Sequence, residues 1–336
     1  VKNVTENAGL LDMSAFAKYM VSGPDAAEWL DSILANRIPK TIGRVGLCHL
    51  LTTQGGVRSE FTVYKLADDK FYLVGPGAFE RHDWDMLNKL APESGVKLEL
   101  ITTQYGVLVL AGPRSRDILQ KLTDTSLSND NFKWLTGKFI NVGIAQAHAL
   151  RVNFVGELGW ELHHPIEMQN TIFDLVMEAG AEFGIKPFGI RAMTTMAIEK
   201  SYRLIGRELS IEYSAYESGL DRFVHPNKGQ FIGRDALVER HGKGDDWKYI
   251  TMEVHDIKDC DARGSEAIYD TDGNLVGRAT SGGYGWRLGK SLALAMVKPE
   301  HGAVGNDLQI KILGELYKTT IIEESPFDPE NERLRA

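Results

Sequence analysis

Cysteine is nearly absent: Cys48 and Cys260 are the only two in 336 residues. They form no CxxC and imply no disulfide framework, which suits a reducing compartment, cytoplasmic or, in a eukaryote, the mitochondrial matrix. Both thiols read as buried and structural. Basic runs are missing too. Lys and Arg number 38 against 46 Asp and Glu, a formal net charge of −8, and residues such as Arg37 and Lys40 stand singly. A broad nucleic-acid surface needs clustered cations, so none is expected. No stretch approaches the ~20 apolar residues of a membrane-spanning helix. The opening Val1-Lys2-Asn3-Val4-Thr5-Glu6 lacks signal-peptide character, and a start at Val rather than Met is expected of a piece of something longer. No Gly-x-Gly-x-x-Gly stands between a strand and a helix, so no dinucleotide fingerprint is present. His163 and His164 are adjacent on a strand and face opposite sides. No other His, Cys or carboxylate cluster has ligand spacing, and no metal is expected.

What is present is ordinary globular composition, 43% hydrophobic and 25% charged, in a chain long enough for two or three domains. Phe16–Val21 reads as a strand. Ser22-Gly23-Pro24-Asp25 then starts a helix whose apolar stripe is Ala27, Leu30, Ile33 and Leu34. The same grammar returns at Val107–Ala111 followed by Gly112-Pro113-Arg114-Ser115. Two such units predict two related α+β halves, or else two unrelated helices that happen to start with Pro. Between them Gly55-Gly56 marks a hairpin, Val57–Tyr64 and Phe71–Val74 are strands joined at Asp68-Asp69-Lys70, and Phe79–Leu90 is a helix. His241–Asp246 reads as a linker. From Trp247 onward short strands dominate: Tyr249–Val254, Ala267–Tyr269, Leu275–Gly277, Leu292–Val297 and Leu308–Ile312, a small all-β barrel. Ser281-Gly282-Gly283-Tyr284-Gly285 reads as a tight loop permitting close backbone approach.

The stretch from Arg151 to Phe223 organises the chain. Arg151–Leu162 reads as a strand and Phe173–Gly180 as a helix. Glu161 reads two ways, as a solvent-facing strand carboxylate or as a ligand-gripping group, its parity blurred by a possible bulge at Gly156 and Gly159. Arg191, Thr195, Ile198 and Tyr202 fall on one helical face. That mixture of charge, hydroxyl and ring suggests a pocket wall, with a structural pair between Arg191 and Glu199 as the other reading.

Val155-Gly156-Glu157-Leu158-Gly159-Trp160-Glu161 resembles the folate-site strand of the glycine-cleavage T-protein (aminomethyltransferase) family. Ile198–Arg203, Gly219–Val224, Phe231–Arg234 and Thr280–Ala293 are similar to the C-terminal, tetrahydrofolate-binding half of dimethylglycine and sarcosine dehydrogenases, and the resemblance covers nearly the whole chain. It implies an α+β fold of three lobes around a central hole: two α+β lobes over residues 1–241, a Greek-key barrel over 247–322, and a tail over 323–336 lying along the surface or loose. Tetrahydrofolate would sit in the hole, its pterin held by Glu161, with Arg191 beside it and Phe154, Leu47 and Tyr202 around it. Glu60 takes the place of a family Asp near the reactive nitrogens, a position that suits stabilising a developing iminium cation. Leu47 and Phe154 stand where the family usually has Tyr. The flavin-binding half of the dehydrogenases has no counterpart here, so FAD is not expected on this chain, and amine oxidation would need a flavoprotein partner or a missing flavin domain. The implied activity is folate-dependent one-carbon transfer from an N-methyl amine or its iminium product. The three departures keep two alternatives open: a non-catalytic regulatory module on the same scaffold, or a folate-dependent demethylase for an ether or sulfonium donor.

Overall fold

The computed structural model describes residues 1–257 and 260–336. The chain opens with α1 (Lys2–Glu6) and β1 (Gly9–Asp12). The first lobe follows: β2 (Ala17–Ser22), α2 (Ala26–Ile33), β3 (Val45–Leu51), β4 (Val57–Ala67), β5 (Lys70–Gly75), α3 (Glu80–Leu90) and β6 (Lys97–Leu100). Its strands form a five-stranded sheet in the order β3-β4-β5-β2-β6. The second lobe contains β7 (Tyr105–Ala111), α4 (Ser115–Gln120), β8 (Gly137–Val142), β9 (Ala145–Leu150), β10 (Gly159–Pro165), α5 (Gln169–Ala179), β11 (Lys186–Pro187) and α6 (Ile190–Ile198). With β1 it makes a six-stranded sheet, β11-β1-β7-β10-β9-β8.

Each sheet is apolar on one face because its strands alternate. In lobe 1, Cys48, Leu50, Phe61, Val63, Phe71 and Leu73 pack under Trp29, Leu30 and Ile33 of α2 and Leu87 of α3. In lobe 2, Leu108, Leu110, Trp160 and Leu162 pack under Ile118 and Leu119 of α4 and Ile172 and Val176 of α5. The opposite faces are partly apolar as well: Val107 and Val109 cluster with Met193 and Met196 of α6, and Tyr64, Tyr72 and Val74 with Leu150.

The repeated strand–Gly-Pro–helix unit has the same backbone twice. Gly23 and Gly112 adopt φ of +123° and +121°, a region glycine enters without strain. An added Cβ would stand 2.3 Å from the Gly95 carbonyl oxygen or 2.5 Å from that of Val4. Both helices therefore start at a close backbone crossing.

An irregular segment then leads to α7 (Arg234–Lys243), which takes in part of the expected linker. The barrel comprises β12 (Lys248–Val254), β13 (Ala267–Tyr269), β14 (Leu275–Gly285), β15 (Lys290–Val297), β16 (Asp307–Ile312) and β17 (Glu315–Ile322), closed in the order β12-β15-β14-β13-β16-β17. Consecutive β13, β14 and β15 are flanked by β16 and β12, the Greek-key arrangement. The closing segment runs along lobe 2 and ends in α8 (Glu332–Arg335). It is held there by Lys200, which donates to the Phe327 carbonyl at 3.0 Å, and by Arg151, which donates to that of Arg335 at 3.1 Å.

Several expectations need correction. Residues 151–158 are not strand; β10 begins only at Gly159, and Gly156 sits at φ +73°. Ser281–Gly285 is not a loop but the end of β14, although the close approach is real: a Cβ on Gly282 would meet the Ala262 carbonyl oxygen at 2.5 Å. Tyr202 lies beyond the end of α6 and shares no helical face with Arg191. Cys48 is buried, and burial pushes its thiol up to about 12, whereas Cys260 is only half-buried. No helix among the described residues is long and apolar enough to cross a membrane.

Candidate active site between the two sheets

Polar groups stand among the apolar ones on the sheet faces turned away from α2–α5. On lobe 1, β3 pairs with β4 so that Leu47 opposes Thr62 and His49 opposes Glu60. These four side chains alternate with core residues Cys48 and Phe61 and so share the other face. Glu60 accepts a hydrogen bond from Nε2 of His49 at 3.0 Å, and the histidine is fully enclosed against Phe223. Leu47 is half-buried beside them.

On lobe 2, the register of β10 resolves the parity of Glu161. Trp160 and Leu162 point into the core, so Glu161 and His163 point the other way, opposite Val109 and Val107 of β7. The Glu161 carboxylate retains 12% side-chain exposure and lies 3.2 Å from Nε2 of His163. On the other side of the His163 ring, Nδ1 lies 3.0 Å from the hydroxyl of Tyr72, a lobe 1 residue. The two sheets thus touch through a polar contact that ends on Glu161. Phe154 packs into the apolar cluster that covers Val107 and Val109, and its ring meets that of Tyr202 at 5.2 Å. Burial pushes the Tyr202 phenol up to about 12, so it stays protonated at neutral pH.

Arg191 comes from the helix that follows β11. It is exposed in the first turn of α6 and lines a cleft of about 680 Å³ with Lys2, Thr5, Trp286 and Phe327. Among the described residues no hydrogen bond or ion pair joins it to Glu161, whose partner is His163. Arg191 follows β11 at the sheet edge, whereas β1 and β7 intervene before β10. Glu199 does not pair with Arg191 either; it holds Arg287.

A model of the GCVT N-terminal domain matches residues 1–228, and one of the glycine cleavage T-protein C-terminal barrel domain matches residues 248–328. The chain belongs to the glycine cleavage T-protein, or aminomethyltransferase, family. It is 32% identical to the aminomethyltransferase of Thermoanaerobacter sp., over 96% of this chain and 87% of that protein. It is 37% identical to mitochondrial dimethylglycine dehydrogenase of Mus musculus over 99% of its own length, yet spans only 38% of that longer protein. The crystal structure of glycine cleavage system aminomethyltransferase T from Bartonella henselae has the same fold, with a TM-score of 0.87 over 98% of this chain and 88% of that one, at 21% identity.

Within this aminomethyltransferase fold the barrel reaches the site through Arg287, which follows β14. Its guanidinium donates to Glu157 at 3.0 Å, to Glu199, to the Val155 carbonyl at 2.9 Å and to the Met196 carbonyl at 2.8 Å. Phe327 stacks on it with the ring centre 3.8 Å away, and Arg333 holds the other oxygen of Glu157 at 2.6 Å. This node fixes residues 155–157, the segment that carries Phe154 into position. The sequence reading missed His49, Tyr72, His163 and Arg287 as site-supporting groups. His163 had a signal: a period of two places it on the same face as Glu161. Tyr72 had none, because its contact joins residues 91 positions apart.

Proposed function

We propose that this chain carries out tetrahydrofolate-dependent one-carbon transfer from an N-methyl amine or its iminium product. One observation carries the reading. Glu161 is a nearly enclosed carboxylate with one oxygen held by His163 and, among the described residues, no protein donor on the other. A carboxylate so placed can accept the paired N–H groups of a pterin edge. Phe154 and Tyr202 offer ring faces on the same side of the sheet. The residues therefore suit the cofactor that the family implies.

Tetrahydrofolate, when bound, supplies the nitrogen that takes up the one-carbon unit. Glu161 orients it, with Phe154, Tyr202 and Leu47 as walls. Glu60, anchored by His49, offers negative charge to a cation developing on the donor. Arg191, which lines a cleft with Lys2, Thr5, Trp286 and Phe327, is given no role in this set. Oxidation of the donor falls to a flavoprotein partner or a flavin-binding segment beyond these 336 residues, in a reducing compartment.

Calorimetric titration with tetrahydrofolate tests the reading. The chain should bind saturably, and Glu161→Gln should weaken binding by about tenfold or more, the loss of a charge-assisted hydrogen bond. Silence at millimolar ligand would overturn the proposal. Binding with no one-carbon transfer from any N-methyl donor would favour the regulatory module instead.

A further inference from the structure

The contact between the sheets is a chain of three side chains from two lobes: Tyr72 Oη to His163 Nδ1 at 3.0 Å, then His163 Nε2 to Glu161 Oε2 at 3.2 Å. The imidazole is fully enclosed and Tyr72 almost so. Neither can exchange its partner for water. The Tyr72 ring also meets the imidazole edge-on, with centroids 5.3 Å apart.

Elementary donor–acceptor rules fix the protons. An ionised carboxylate only accepts, so Nε2 must carry the hydrogen that faces Glu161. Burial, followed by the charges of Tyr105 and Glu161, pushes the Tyr72 phenol well above its ordinary range, so it keeps its proton and donates. On a neutral imidazole whose hydrogen sits on Nε2, Nδ1 presents a bare lone pair that accepts the Tyr72 hydroxyl hydrogen. The flanking titratable group on β9, His148, opposes His163 across the strands and is held neutral at physiological pH by burial.

We propose that Tyr72 and His163 are positioning residues for Glu161: the lobe 1 phenol locks the imidazole as its Nε2–H tautomer, which pins one carboxylate oxygen and leaves the other for the ligand. The inference deepens the folate reading and rests on it for the ligand's identity. The lock itself belongs to the ligand-free protein. It also makes closure of the two sheets part of building the site, since neither lobe alone supplies the chain. Ligand affinity then depends on a hydroxyl that never touches the ligand.

Two measurements test it. Long-range ¹H–¹⁵N correlation spectra of the unmodified, ligand-free protein, with His163 assigned by its loss in His163→Gln, should show a pyrrole-type Nε2 and a pyridine-type Nδ1. A proton on Nδ1, alone or on both nitrogens, would overturn the proposal, whatever the ligand proves to be. Tyr72→Phe should then lower affinity for tetrahydrofolate about fivefold, as for one neutral hydrogen bond. In a Glu161→Gln background the same substitution should have almost no further effect, because the hydroxyl acts through that carboxylate. Equal losses in both backgrounds would mean a merely structural tyrosine. Absence of folate binding by the unmodified chain would defeat the functional reading and leave the tautomer result standing.

Discussion

Arg287 and Glu157 meet at 3.0 Å with both side chains almost completely enclosed, tying the barrel to the segment that enters β10. Two buried carboxylates depend on this one guanidinium, since Glu199 also faces it. Arg287→Ala leaves Glu157 with Arg333 alone and Glu199 with no cation. Removing one partner of a buried ion pair costs about 3–5 kcal/mol. Urea unfolding should show a lower midpoint with an unchanged slope. A loss within experimental scatter would mean that the node does not hold the lobes together.

Glu60 is anchored by His49 at 3.0 Å and keeps its side chain 20% exposed. Glu60→Gln keeps the size and removes the charge. Single-turnover transfer from an N-methyl donor should fall by about 10²-fold, the scale for loss of one group that stabilises a developing charge. Affinity for tetrahydrofolate should change by less than about twofold if the charge acts only in the transition state. A large change in affinity with an intact rate would reassign Glu60 to binding.

Arg191 opens on a cleft shared with Trp286 and Lys2 rather than with Glu161. Arg191→Ala should leave affinity for tetrahydrofolate within about twofold, the scale of a surface charge change. The same titration that detects the Glu161→Gln loss reads this one. A tenfold loss would return Arg191 to the ligand.

His148 on β9 is held down to about 4 from 6.5, chiefly by burial, with the charge of Lys70 acting in the same sense. Its ring packs against Phe139 at 4.8 Å. The unfolded chain takes up this proton near pH 6.5, whereas the folded chain refuses it until about pH 4. The stability it contributes is therefore full above pH 6.5 and lost as pH falls toward 4. His148→Gln removes the titration and should flatten the stability–pH slope across that window by about one proton at its steepest. Parallel profiles for the two proteins would refute this.

Strand alternation made much of the fold legible. Val57–Tyr64 alternates, Phe71–Val74 and the barrel strands from Tyr249 stand out as short apolar or β-prone runs between turn residues, and both Gly-Pro helix starts were readable from residue chemistry. Residues 151–158 misled because they are as apolar as a strand, yet Gly156 at φ +73° breaks the extended path. Tyr202 misled in the same way: helical spacing carries past Ile198, but the chain turns at Ser201, whose φ is +55°.

Strand texture placed Glu60 on a strand and the family motifs singled out both carboxylates from the same linear text, while the face taken by Glu161 stayed open. The sequence could not say which groups complete each carboxylate. The partner of Glu60, His49, lies across a strand pair, and the group that backs His163 behind Glu161, Tyr72, lies across the seam between lobes. Side-chain period reports which face a residue takes, while the identity of what faces it depends on how two sheets dock. The same limit holds for Arg191: its helix was foreseen, but the cleft it shares with Lys2, Trp286 and Phe327 joins residues far apart in the chain, which only the folded chain decides.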